Sequence, residues 1–254
     1  MRTVIDSVCV NYEIQGEGSP VLLLHGWGGS IESFSPVANY LLKQGKKVIS
    51  IDFPGHGKSG EPPEPWSVRE YTAMTAKFIE QLGIMPCDII AHSFGGRVAI
   101  LLASTMPQLV KKLVLVDSAG LRQKRTLRYY YKIYVYKICK KLVKSPLLNR
   151  VLRLDERQKG AGSSDYRVLS GVMRGTFVKV VNQDLQSYLS AIKAPTLLIW
   201  GSEDKDTPLW MGKKMEAEIS DAGLVIFQNA GHFSYLDGFG RFCKILTSFL
   251  GSGV

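Results

Sequence analysis

The stretch Asp88-Ile89-Ile90-Ala91-His92-Ser93-Phe94-Gly95-Gly96-Arg97-Val98-Ala99-Ile100 decides how the rest of the chain is read. Residues 88–91 read as a short buried strand, and residues 94–106 continue with helical spacing. The spacing Ala91-x-Ser93-x-Gly95 at that junction permits a tight, strained turn that lifts a serine hydroxyl clear of both elements. Small residues at Ala91 and Gly95 let strand and helix pass close to the turn without side-chain clash. The first N–H groups of the following helix point at the same turn and favour negative charge that develops there.

Outward from this junction, short apolar runs alternate with amphipathic stretches. Residues 8–14 alternate as a half-buried strand, and 20–24 form a buried one that ends at His25-Gly26. Residues 34–42 have helical spacing and stop at Gly45; 47–51 form another strand, ended by Asp52-Phe53-Pro54-Gly55. Ser67 with Glu70 three residues later is a capping-box signature that opens a helix running to Gly83. Strands are expected at 112–116, 196–200 and 224–227, a helix opening at Thr207-Pro208 as N-cap and first-turn proline, and a closing helix over 235–250. Such alternation predicts an α/β fold with a mostly parallel central sheet flanked by helices. Ligands in such sheets sit beyond the carboxyl ends of the strands. Residues 121–194 break the rhythm and read as an inserted, mainly helical unit in a core made of 1–120 and 195–254.

Composition supports a folded domain. The chain has 254 residues, 45% of them hydrophobic, and a formal net charge of +10. A chain of this length buries about 70–75% of its unfolded surface. Its apolar content excludes disorder, and no 18-residue charge-free apolar run is present to span a bilayer. Met1-Arg2-Thr3-Val4-Ile5-Asp6 lacks the layout of a secretory signal. Cys9, Cys87, Cys139 and Cys243 lie far apart with no Cys-x-x-Cys pair, so they read as reduced thiols, and a cytoplasmic location is expected. The charge is segregated: residues 121–160 hold 13 Lys/Arg and two acids, a net of +11, and the other 214 residues have a net of −1.

Taken with other motifs in order, the serine turn resembles the α/β-hydrolase family over nearly the whole chain. His25-Gly26-Trp27-Gly28-Gly29 resembles that family's oxyanion-hole loop, and Asp52-Phe53-Pro54-Gly55-His56-Gly57-Lys58-Ser59 its Asp-x-x-Gly-x-Gly-x-Ser turn. Gly201-Ser202-Glu203-Asp204-Lys205-Asp206-Thr207-Pro208 matches the loop that carries the acid, and Gly231-His232 the loop that carries the base. Ala91 stands where glycine is commoner in the elbow. The resemblance implies Ser93 as nucleophile, His232 as the base that takes its proton, and Asp204 as the carboxylate that orients the imidazole. It assigns the backbone N–H groups of Trp27 and Phe94 to the oxyanion hole. Trp27, Phe94 and Phe233 suggest an apolar substrate pocket.

Alternatives stand beside several of these residues. Asp206 or Glu203 competes with Asp204 as the acid, and Asp117, ending the preceding strand, is a second location for it. His92 is expected to point away from the serine, and His25 and His56 to brace loops. Four scattered histidines without paired spacing give no metal site, and no cofactor is called for. Gly57-Lys58-Ser59 ends like a phosphate-binding loop but has Asp52 where that motif needs glycine.

In the resembling family, an insertion at this point forms a lid that shapes specificity. Here Leu127, Tyr130, Tyr131, Tyr134, Val135, Ile138 and Leu142 fall on one helical face, with Arg125, Arg128, Lys132, Lys140 and Lys144 on the other. A basic face with aromatics suits a weak contact with an anionic membrane surface; the alternative is a solvated face whose tyrosines rest on the body. Nucleic acid is disfavoured because no recognition module is visible. The expected activity is therefore cleavage of a small-molecule carboxylic ester with an apolar acyl or aryl group, through an acyl-enzyme. The alternatives are hydrolysis of a carbon–carbon bond in a vinylogous diketone and non-catalytic ligand binding on a hydrolase fold.

Overall fold

A computed structural model describes residues 1–122, 131, 134, 135, 138, 169 and 171–251. Its centre is one eight-stranded sheet: β1 (Arg2–Ile5), β2 (Val8–Gln15), β3 (Pro20–Leu24), β4 (Lys47–Ile51), β5 (Cys87–His92), β6 (Val110–Val116), β7 (Thr196–Gly201) and β8 (Ala222–Phe227). The spatial order is β1-β2-β4-β3-β5-β6-β7-β8, with β1 and β2 antiparallel to their neighbours and every other pairing parallel. β1 was not expected from the sequence. It is an edge strand of four residues, too short for its alternation to register, and it exists because β2 supplies its hydrogen bonds from Asn11 to Val8.

Strand alternation sorts the apolar side chains into two layers. Leu22, Leu24, Ile89, Leu113 and Leu115 face α2 (Val68–Gln81) and α3 (Phe94–Thr105), where Tyr71, Phe78, Val98 and Leu102 complete one core. Val21, Leu23, Ile90, Val114 and Val116 face the opposite way, against Val37 and Leu41 of α1 (Ser35–Lys43) and Phe242 and Leu246 near the carboxyl end. A sheet buried on both faces needs the near-continuous apolar strands that this sequence has.

Two helices differ in detail from expectation, and one helix start is as expected. The capping box at Ser67 and Glu70 is formed as read. Thr207 is not an N-cap: the helix after it, α5 (Trp210–Glu218), starts three residues later, and the Thr207 side chain faces the acid loop instead. The closing helix is broken into α6 (Ser234–Asp237) and α7 (Phe239–Leu250), because the backbone at Gly238 leaves the helical region (φ −123°, ψ 42°).

Within the stretch expected as an insertion, α4 (Gly171–Asn182) and a 3-10 segment (Gln186–Ala191) lie against the body. Thr176 Oγ1 accepts from Trp66 N at 3.0 Å, Gln183 Oε1 accepts from Val68 N at 3.1 Å, and the Gln183 carbonyl accepts from buried Arg97 Nη1 at 2.7 Å. α4 follows β6 in sequence but is tied to the start of α2 and to α3. The expected helical residues Leu127, Tyr130 and Leu142, and the basic residues Arg125, Arg128, Lys132, Lys140 and Lys144, lie outside the described residues. Cys9, Cys87 and Cys243 are unpaired, and among the described residues no helix is long and apolar enough to cross a membrane.

The junction of β5 and α3 depends on Gly95. A Cβ placed there would lie 2.2 Å from the Leu24 carbonyl oxygen, a backbone atom with no room to yield. Gly95→Ala is expected to destabilise the protein by about 1–3 kcal/mol, read as a lower urea midpoint at unchanged slope.

Candidate active site

Ser93 ends β5 and precedes α3 with φ 49° and ψ −109°, a left-handed conformation that costs an L-residue on the order of 1–3 kcal/mol. The corner is fixed from both sides: Ser93 N donates to the Val116 carbonyl at 3.2 Å, and the Ser93 carbonyl accepts from Gly96 N and Ala119 N, each at 3.0 Å. The hydroxyl is thereby held at the carboxyl edge of the sheet. There it meets His232 Nε2 at 2.9 Å, and His232 Nδ1 meets Asp204 Oδ2, also at 2.9 Å. Residues 111 and 139 positions from Ser93 along the chain are thus brought into one line by the ends of β5, β7 and β8.

Asp204 is buried and well satisfied. Its Oδ1 accepts from Asp206 N and Thr207 N at 2.9 Å each, and its Oδ2 accepts from the Thr207 hydroxyl at 2.6 Å. Burial works to raise its pKa, but the hydrogen bonds from His232 and Thr207 outweigh it and hold the carboxyl below its ordinary value. His232 shows the converse. Burial works to lower the imidazole, and the hydrogen bond and charge of Asp204, helped by Asp117 and Asp206, lift it above its ordinary value of 6.5. The carboxylate that reaches His232 Nδ1 within hydrogen-bonding distance is therefore Asp204; Glu203 is exposed. Ligand atoms of Asp204, Asp206 and His232 also lie within 4.8 Å of one another, but Nδ1 and the Asp204 carboxylate there already bind each other.

Asp117 holds the frame rather than the imidazole. Fully buried at the end of β6, with φ 44°, it accepts from Gly201 N at 2.8 Å through Oδ1 and from Ser234 N at 2.9 Å through Oδ2. It therefore joins the strand that leads to Asp204 to the helix that follows His232. Burial pushes its pKa up to about 6. Its backbone carbonyl lies 2.9 Å from the Thr207 hydroxyl, whose single proton is shared between that carbonyl and Asp204. Thr207 was read from sequence as a helix cap; a threonine three residues after an aspartate is also the signature of a local side-chain loop lock, and that is its role here.

The other histidines brace loops. His92 donates through Nε2 to the His232 carbonyl at 2.7 Å; burial lowers its pKa to about 4, so it is neutral. His25 is likewise lowered to about 4 by burial; its Nδ1 donates to the Gly26 carbonyl at 2.7 Å and its Nε2 accepts from Phe53 N at 3.0 Å. His56 Nδ1 lies 3.1 Å from the Pro54 carbonyl. The turn at Gly57-Lys58-Ser59 is knotted by Asp52, whose carboxylate accepts from Lys58 N, Ile31 N and Asn11 Nδ2 at 2.8 Å each.

The loop of Trp27 runs directly over the elbow. A Cβ on Gly26 would sit 2.9 Å from His92 Nδ1 and 3.4 Å from Ser93 Cβ, so only glycine lets the loop come this near. Phe94 opens α3, where the first N–H groups have no partner within the helix. The Trp27 and Phe94 rings meet edge-on at 5.3 Å, and Phe94 is buried among Phe53 and Tyr71. Phe233, half exposed, packs instead on His92 at 5.0 Å and His232 at 5.6 Å. Phe177 of α4 lies edge-on to Trp27 at 5.1 Å. Sequence alone gave no signal for Phe177, since α4 meets the Trp27 loop only in the tertiary structure.

Residues 19–135 match a family model described as alpha/beta hydrolase fold, and residues 177–253 match one described as TAP-like protein. Together with the fold, these matches support a protein of the α/β-hydrolase family. Among its relatives are an uncharacterized hydrolase, YugF, of Bacillus subtilis (28% identical, covering 91% of this chain and 90% of that one) and a 2-hydroxy-6-oxononadienedioate/2-hydroxy-6-oxononatrienedioate hydrolase of Comamonas testosteroni (26% identical, 94% and 90%). The solved structure of an esterase from Exiguobacterium antarcticum superimposes with a TM-score of 0.76 at 23% identity, over 98% of each chain, and shares the fold. Hydrolase-named relatives along nearly the full length support an α/β-hydrolase enzyme.

In a histidine titration by NMR, His232 is expected to titrate above pH 6.5, while His92 and His25 stay neutral down to about pH 4. Asp204→Asn removes the charge that offsets burial, so His232 should then titrate lower than in the wild type. An unchanged midpoint in that variant would contradict the electrostatic account.

Proposed function

We propose that this α/β-hydrolase is a serine hydrolase that cleaves carboxylic esters through an acyl-enzyme. The observation that carries this reading is the continuous line from Ser93 Oγ through the His232 imidazole to the Asp204 carboxylate, with both links at 2.9 Å. In the first step Ser93 Oγ attacks the ester carbonyl carbon as its proton passes to His232 Nε2. Asp204 holds the Nδ1 proton and stabilises the imidazolium. The backbone N–H groups of Trp27 and Phe94 are the proposed donors to the oxyanion, each worth about 3–4 kcal/mol of transition-state stabilisation. Collapse of the tetrahedral adduct breaks the bond to the alkoxide, which leaves as the alcohol with the proton from His232. Water, deprotonated by the same nitrogen, then attacks the acyl group, releases the acid and restores Ser93.

The ring contacts of Trp27 with Phe94 and Phe177, and of Phe233 with His232, support an apolar acyl or aryl group in the substrate. Carbon–carbon bond hydrolysis of a vinylogous diketone is the second reading, favoured by the relative from Comamonas testosteroni. His92 and Phe233 occupy positions where such enzymes commonly carry asparagine and tryptophan, which speaks for the ester.

A fluorophosphonate probe is expected to label the wild type at Ser93 and not Ser93→Ala, and that substitution should lower ester turnover by more than about a thousandfold. A series of p-nitrophenyl esters from acetyl to palmitoyl, run beside a vinylogous diketone, checks the substrate class. Turnover of the diketone alone would replace the ester reading, and a folded protein that the probe does not label would end the catalytic one.

A further inference from the structure

The Thr207 hydroxyl stands at the link between Asp204 and His232 itself. Its oxygen lies 2.6 Å from Asp204 Oδ2, 2.9 Å from the Asp117 carbonyl and 3.3 Å from His232 Nδ1. Asp204 Oδ2 is also the atom that meets His232 Nδ1 at 2.9 Å. Two side-chain donors therefore converge on one carboxylate oxygen, while the backbone N–H groups of Asp206 and Thr207 bind the other, Oδ1. Both Thr207 and Asp204 are buried, so water does not weaken the arrangement.

The loop has other anchors besides this hydroxyl. Thr207 N donates to Asp204 Oδ1 at 2.9 Å, and the Thr207 carbonyl accepts from the Nε1 of buried Trp200 at 2.6 Å. These are main-chain contacts that valine at this position would keep. What valine would remove is a donor on a charged oxygen. Hydrogen bonds to an ionised acceptor are about twice as strong as neutral ones, so the hydroxyl proton favours Asp204 over the Asp117 carbonyl. That bond draws negative charge toward Thr207 and away from Nδ1. Without it, the carboxylate would hold an imidazolium more firmly, and His232 would stay protonated up to a higher pH, where it cannot act as a base.

We infer that Thr207 is a positioning residue of the catalytic line, whose hydroxyl tempers the pull of Asp204 on His232 and leaves the imidazole able to take the Ser93 proton near neutral pH. The consequence for turnover rests on the serine-hydrolase reading; the effect on the imidazole does not. The titratable groups that face His232 are Asp204 and Asp206 from the acid loop, Asp117 from the end of β6 and His92 from β5. On the His232 loop itself, Asp237 accepts from Gly231 N at 2.8 Å. All of them are common to variants changed at Thr207 alone, so comparing such variants isolates the hydroxyl.

The test is a histidine titration by NMR of the wild type, Thr207→Val and Thr207→Ser, beside pH–rate profiles on a p-nitrophenyl ester. Thr207→Val is expected to raise the His232 midpoint by about half a pH unit, and to cost about threefold in turnover on the acid side of the profile. The loss should fade on the alkaline side with KM little changed, and Thr207→Ser should restore the wild-type midpoint. If Thr207→Val does not fold, Thr207→Cys, whose thiol is a weak donor, should move the midpoint in the same direction. An unchanged midpoint in the folded variant overturns the inference. So does a lowered one, which would mean that the hydroxyl only holds Asp204 in place, and so does a Thr207→Ser midpoint raised as far as that of Thr207→Val. A wild type that a fluorophosphonate fails to label would remove the serine-hydrolase reading instead, and the midpoints, which need no substrate, would still decide the effect of the hydroxyl on His232.

Discussion

The backbone at Ser93 sits in a conformation that L-residues avoid, and the surrounding structure is what keeps it there. Its N–H and carbonyl are both taken by the neighbouring β6 end, at Val116 and Ala119, and the first turn of α3 presses on the Leu24 carbonyl through a residue with no side chain. Each of these contacts requires β3, β5 and β6 to lie adjacent and parallel, with α3 tight across them. The strained corner is therefore a consequence of the whole sheet, and the position of the serine hydroxyl inherits the rigidity of the core.

A second corner of the same kind occurs one strand away. Asp117 also has a positive φ, and its buried carboxylate collects backbone N–H groups from Gly201 and Ser234. The two corners together set the distance between the serine and the loops of Asp204 and His232. His92 adds a third tie, from the elbow to the backbone of His232 itself. With Asp204 saturated by hydrogen bonds and kept ionised, the imidazole is biased toward holding a proton, in keeping with the base role proposed for it. Burial keeps His25 and His92 neutral, so they serve as hydrogen-bonding struts whose charge does not compete with His232.

The net charge of +10 has little to do with this machinery. The 214 residues outside 121–160 are close to neutral, and the excess belongs to that one stretch of sequence.

Much was legible in the sequence because it is encoded locally. Period-two and period-3.6 patterns reported the strands and helices, the Ser67 and Glu70 pair marked a helix start, and small residues at Ala91 and Gly95 announced a turn that only such residues permit. Motif order then placed Ser93, Asp204 and His232 near one sheet edge. What remained hidden depends on contacts between distant segments. β1 forms only because β2 is there to pair with it, Thr207 chooses Asp204 over a helix cap because the acid loop folds back upon it, and Asp117 becomes a tie between two loops only when β6, β7 and the His232 loop converge. Phe177 reaches Trp27 by the same rule, and Tyr131 and Tyr134 are exposed although their pattern alone would bury them. A sequence determines which faces of an element are apolar; which of those faces finds a partner is decided by the tertiary structure, because burial is a property of neighbours.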